Sequence, residues 1–109
     1  MFGFGQARHK EVHPDELAAM LRSGTALVVD VREADEFAAG HIPGALNMPL
    51  SDFRPSQLPH PQGKMLVLSC AGGKRSAMAL NKCSTAQAAV DTHLAGGFGA
   101  WRAAGLPVE

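Results

Sequence analysis

Leu66-Val67-Leu68-Ser69-Cys70-Ala71-Gly72-Gly73-Lys74-Arg75-Ser76 is the stretch on which the reading of this chain turns. An apolar run of β-forming residues stops at a cysteine. A short loop with two glycines and two cations follows, and a helix-forming segment begins. Strand, loop and helix in that order set the thiol in a cradle of backbone N–H groups at the positive end of a helix. Such a place favours an anion, here a thiolate or an anionic group attached to it. The pattern predicts a reactive cysteine.

Outward from this segment, helices and strands alternate, which argues for a parallel sheet with helices packed on its faces. His13-Pro14-Asp15-Glu16 opens a first helix with proline and carboxylates in its first turn. Leu17, Met20 and Leu21 give that helix an apolar stripe, and Ser23-Gly24 ends it. Ala26 to Val31 reads as a strand covered on both faces. Arg32 to Ala39 reads as a short helix with Phe37 turned inward, and Ala45 to Met48 as a short strand after the turn His41-Ile42-Pro43-Gly44. Ser51 to Phe53 suits a brief helical turn, and the proline-rich Arg54 to Gly63 an irregular loop. Lys64 to Ser69 is then the central strand that delivers Cys70. A helix is expected from about Arg75 to Ala86. Val90 to Leu94 reads as a strand despite Asp91 and His93, and Gly96-Gly97 precedes a last helix carrying Phe98 and Trp101.

The totals bound the function. A chain of 109 residues, 46% apolar and 18% charged, suits one globular domain. Met1 to Lys10 reads as a flexible leader and 11–109 as a single domain, with no repeat or linker dividing it. Ten basic and ten acidic residues cancel, so nothing supports general binding to nucleic acid or to an anionic membrane. No apolar run is long enough for a membrane span, and Met1 to Lys10 lacks the apolar core of a secretion signal. The expected location is the cytoplasm. Cys70 and Cys83 make no disulfide framework, and neither they nor the five histidines show zinc-ligand spacing. Cys83 reads as a small helix residue; its other role would be to resolve an oxidised Cys70.

Several separated motifs occur in a specific order: Asp30-Val31-Arg32 with Glu36-Phe37, Gly40-His41-Ile42-Pro43-Gly44-Ala45, the Cys70 to Ser76 loop, and Gly96-Gly97-Phe98-Gly99-Ala100-Trp101 with Gly105-Leu106-Pro107. Together they resemble the rhodanese-like family of single-domain sulfurtransferases, from Pro14 to Pro107. The resemblance implies an α/β fold: a roughly five-stranded parallel sheet flanked by helices on both faces, with the loop at a strand's carboxyl end. It implies transfer of a sulfane sulfur from a donor such as thiosulfate to Cys70, giving a persulfide. The sulfur then passes to a nucleophilic acceptor such as cyanide or a thiol; a sulfur-relay module, in which Cys70 hands sulfur from one partner protein to a sulfur-acceptor protein, is an alternative. Neither metal nor organic cofactor is implied.

The chemistry asks for a thiolate, and the loop residues suit that need. Amides from Ala71, Gly72, Gly73, Lys74, Arg75 and Ser76 can converge on the sulfur and later on the outer sulfur of the persulfide. Gly72 and Gly73 permit the curl. Lys74 and Arg75 add positive charge that would draw an anionic donor, while Ser76 is expected to meet free amides in the first helical turn. Asp30 and Arg32 read as a buried pair fixing a strand-to-helix corner, His41 as a structural histidine, and Phe37, Phe98 and Trp101 as core anchors.

Two other functions compete. Phosphatases of the same fold carry a loop cysteine, but their arginine stands one position further from it than Arg75 does from Cys70, leaving room for a tetrahedral oxyanion. The shorter loop here favours a sulfur atom. A non-catalytic docking module is the second rival, and the retained Cys70 with its complete loop counts against it. One departure from the family concerns the end of the loop helix, where Gln87-Ala88 replaces the usual glycine and apolar pair. Local looseness before Val90 is the expected result.

Overall fold

A computed structural model describes residues 9–109. Residues 1–8 of the expected leader lie outside the described residues. Five strands form one parallel sheet: β1 (Lys10–Val12), β2 (Ala26–Asp30), β3 (Leu46–Asn47), β4 (Met65–Ser69) and β5 (Thr92–Leu94), in the spatial order β1-β5-β4-β2-β3. Four helices intervene: α1 (Pro14–Ser23), α2 (Ala34–Ala39), α3 (Lys74–Thr85) and α4 (Gly97–Ala103). Single turns of 3-10 helix sit at Leu50–Asp52 and Pro55–Gln57.

Alternation along the strands explains why both faces of the sheet are covered. Ala26 and Val28 of β2 and Val67 of β4 point to one side, where they pack with Leu17 of α1 and with Phe98 and Trp101 of α4. Val29 of β2 and Leu66 and Leu68 of β4 point to the other side, against Ala79, Leu80 and Cys83 of α3. β4 is the middle strand, paired in register with β2 from Ala26↔Met65 to Asp30↔Ser69. The two strands therefore end side by side, and their carboxyl ends carry the two corners that matter most.

Several expectations need correction. Lys10, assigned to the leader, starts β1 and pairs with Thr92 of β5. With one apolar residue in three, β1 carries no periodic signal and forms because β5 offers it a partner. Phe37 is only half-buried; it stacks on the His41 ring with centroids 3.8 Å apart instead of entering the core. The end of α3 is not loose. Gln87 itself adopts the left-handed conformation (φ 60°) that glycine usually supplies. The Gln87 amide donates to Ser84 O at 3.0 Å and the Ala88 amide to Cys83 O at 2.8 Å. These are the two closing bonds of a Schellman motif.

Asp30 and Arg32 lock the corner after β2. Arg32 Nε and Nη2 donate to the Asp30 carboxylate at 2.8–3.1 Å, and Nη2 also reaches Gly40 O at 2.7 Å. The guanidinium lies over the Phe98 ring, 4.4 Å from its centroid. His41 is likewise structural: Nδ1 meets Phe37 O at 2.9 Å, and its backbone exchanges hydrogen bonds with Glu109.

Candidate active site

Cys70 is the first residue beyond β4. Its carbonyl accepts the Phe98 amide at 2.7 Å, and the Ala71 carbonyl accepts the Gly99 amide at 3.0 Å. The first turn of α4 thus holds these two loop carbonyls away from the sulfur, freeing the loop to turn N–H groups toward it. Gly97 makes this approach possible. A Cβ there would stand 2.4 Å from Cys70 O and 2.7 Å from the Ala71 carbonyl carbon. Gly97, which the sequence places just before the last helix, is the platform on which the loop rests.

Around the sulfur, the Gly73 amide donates to Sγ at 3.0 Å. The thiol lies 3.5 Å from Ser76 Oγ, to which it can donate. Burial pushes the Cys70 thiol up, but hydrogen bonds from the Ser76 hydroxyl and from the Ser76, Gly73 and Gly72 amides outweigh it and leave the thiol below its ordinary value. Gly73, at φ 108°, supplies the left-handed turn before α3. Cys70 is 1% exposed, while Ala71 and Gly72 above it are exposed. The sulfur sits just beneath a thin loop.

The two loop cations differ. Lys74 is exposed, and no ion pair among the described residues uses it. Arg75 was expected as a second cation serving the thiolate, but its guanidinium forms a two-pronged pair with Glu36 of α2, at 2.7 and 3.0 Å. Arg75 beside Glu36 holds that carboxyl down at about 2. Two of Arg75's five N–H donors are therefore committed to α2, and the Gly73 amide is the sulfur's immediate donor. Ser76 also departs from expectation. It is fully buried, and its hydroxyl reaches Gly73 O at 3.1 Å and His93 Nδ1 at 2.7 Å.

His93 and Glu36 are the neighbours that the sequence reading did not assign to the site. A histidine in a short strand just before the glycine pair was the one available signal for His93. Cys83 stays in the core, fully buried, and burial alone pushes its thiol up. Among the described residues no three His, Cys, Asp or Glu side chains converge as metal ligands.

The profile of the rhodanese-like domain matches residues 13–104. The chain belongs to the rhodanese-like domain family. Among curated relatives, a Synechocystis protein, slr1261, is 42% identical over 96 residues, covering 88% of this chain and 54% of that protein. Human thiosulfate:glutathione sulfurtransferase is 37% identical over 78 residues, covering 59% of this chain and 68% of the human protein. Among solved structures, a rhodanese-related protein from Thermoplasma volcanium superposes with a TM-score of 0.78 at 27% identity, covering 93% of this chain and 98% of that one. This rhodanese-like chain spans about half the length of its Synechocystis relative. No helix among the described residues is long and apolar enough to cross a membrane.

Proposed function

We propose that this protein is a sulfurtransferase of the thiosulfate type that works through a Cys70 persulfide. The carrying observation is the Gly73 amide 3.0 Å from Cys70 Sγ, one of the donors that hold the thiol below its ordinary value against burial. In the first step the Cys70 thiolate attacks the outer sulfur of thiosulfate. The S–S bond of the donor breaks, and sulfite leaves with its electron pair. The persulfide keeps one negative charge, which the same amides can hold without rearranging. In the second step cyanide, a small thiol or a thiol on a sulfur-accepting protein attacks the outer sulfur and restores the Cys70 thiolate. A relative named for thiosulfate and glutathione supports this donor and a thiol acceptor.

Lys74 draws the dianionic donor, and the amides from Ala71 to Ser76 orient it. Cys70 is 1% exposed, and the donor's approach is from the side of the exposed Ala71 and Gly72, where even an added Cβ at Gly72 would meet no atom within 4 Å. The cytoplasm, which keeps thiols reduced, suits a mechanism that needs a free Cys70.

Incubation with thiosulfate followed by intact mass measurement tests the reading. It predicts a gain of one sulfur atom's mass in the native chain and none in Cys70→Ser. No gain, with phosphate released from an aryl phosphate, would replace the reading by a phosphatase. Neither activity would leave a docking module.

A further inference from the structure

Ser76 and His93 form a continuous polar path from the sulfur to the sheet edge. Cys70 Sγ lies 3.5 Å from Ser76 Oγ, and Ser76 Oγ lies 2.7 Å from His93 Nδ1. On the far side of the ring, His93 Nε2 lies 3.5 Å from Glu11 Oε2. His93 is 6% exposed and Ser76 fully buried, whereas Glu11 of β1 is exposed and meets water. A buried histidine with one nitrogen on a serine hydroxyl and the other on a carboxylate is held in position and can move a proton between them. Ser76 has one proton and two acceptors in reach, Gly73 O and His93 Nδ1. When that proton goes to His93 Nδ1, the Gly73 contact carries no hydrogen bond.

We propose that His93 is a positioning residue for Cys70, accepting the thiol proton through Ser76 and holding it while the thiolate waits for the donor. The thiol proton passes to Ser76 Oγ as the Ser76 hydroxyl proton passes to His93 Nδ1. Sulfur keeps the electron pair of its former S–H bond, and the Nδ1 lone pair forms the new N–H bond. Ser76 ends unchanged, now donating to the thiolate while the imidazolium donates to Ser76. One thiol and one imidazole have become a thiolate and an imidazolium, with nothing oxidised or reduced.

The surroundings suit this exchange. Burial pushes His93 below its ordinary value, with Glu11 opposing and His9 adding to the fall, so of these three influences Glu11 is the one that favours the imidazolium. β1 presents Glu11 to it, and His9 stands before that strand with ring centroids 5.9 Å apart. α3 presents the uncharged Ser76, the loop presents Cys70, and β4 pairs through Leu68, which does not titrate. The proposal deepens the sulfurtransferase reading and rests on Cys70 being its reactive thiol.

The test is the pH dependence of Cys70 alkylation by iodoacetamide in the full chain, with the site read by peptide mass. His93→Asn can keep a hydrogen bond near the Nδ1 position but cannot take a proton. It should raise the midpoint by about one unit, making alkylation below the midpoint about tenfold slower, with the alkaline plateau unchanged. Ser76→Ala should raise it too, and adding it to His93→Asn should move the midpoint by less than the sum of the single shifts. A His93→Asn profile that superimposes on the native one overturns the proposal, even if Ser76→Ala shifts. Should His93→Asn fail to fold by circular dichroism, NMR titration of His93 in Cys70→Ser decides. A lower His93 midpoint than in the native chain supports the coupling, and an unchanged one overturns it. Alkylation needs no sulfur donor, so the two readings can fail separately. Shifted variants with no sulfur gained from thiosulfate would remove the sulfurtransferase and keep the proton path.

Discussion

Two neighbouring corners of this molecule handle negative charge in opposite ways. β2 and β4 end together at Asp30 and Ser69. At the end of β2 the Asp30 carboxylate is buried and clasped by Arg32 through three hydrogen bonds of its side chain. Beyond β4 the Cys70 sulfur is equally buried, but amides and a hydroxyl surround it, and the nearby Arg75 is tied to Glu36. A carboxylate bound to a guanidinium is settled and serves as structure. A sulfur stabilised by dipoles keeps its nucleophilic lone pairs and can leave its state and return to it. The difference separates the hinge pin of the fold from the place where chemistry can happen.

The largest effect is expected at the structural corner. Arg32→Ala leaves the Asp30 carboxylate, 2% exposed, without its partner. It should cost about 3–5 kcal/mol in urea unfolding, the usual loss when one half of a buried pair is removed. At the other corner, Gly97→Ala would push a Cβ against the Cys70 and Ala71 backbone, at a residue whose φ is 61°. Displacing the loop by about 1 Å should lower sulfur-transfer kcat/KM by about 10²-fold. Circular dichroism would separate this loss from unfolding.

Glu36→Gln sharpens the contrast through pH. The Glu36 carboxyl is depressed from 4.5 to about 2, so its pair with Arg75 contributes fully above the unfolded value and is lost as pH falls through about 2. Its side chain is 36% exposed, so solvent screening limits the contribution to about 1 kcal/mol or less. The stability gap between native chain and Glu36→Gln should be constant near neutrality and close between about pH 4.5 and about pH 2. The smallest effect belongs to Gln87→Gly. Relief of the left-handed side chain should stabilise the end of α3 by about 0.5–1 kcal/mol, seen as a higher unfolding midpoint.

What could be read in advance follows from how local each signal is. The β2 and β4 runs, the caps of α1 and the cysteine at the end of the middle strand all announce themselves within a few residues. β1 does not, because Lys10-Glu11-Val12 becomes a strand only against β5. The Arg75–Glu36 pair joins residues 39 apart in sequence, and the Ser76–His93 contact residues 17 apart. No local pattern reveals that Arg75 is occupied or that Ser76 turns from the free amides toward a histidine. Those partners exist because α2 and β5 pack beside α3, and packing is decided by the whole sheet.

Titration of Cys70 decides whether its donors outweigh its burial. Alkylation of the native chain as a function of pH, read at Cys70 with buried Cys83 as internal reference, gives the midpoint at which the thiol loses its proton. The ring of donors predicts a midpoint below the value of about 8.5 for a free cysteine. A midpoint at or above that value would mean that burial outweighs the donors, and Cys70 would be one more core thiol.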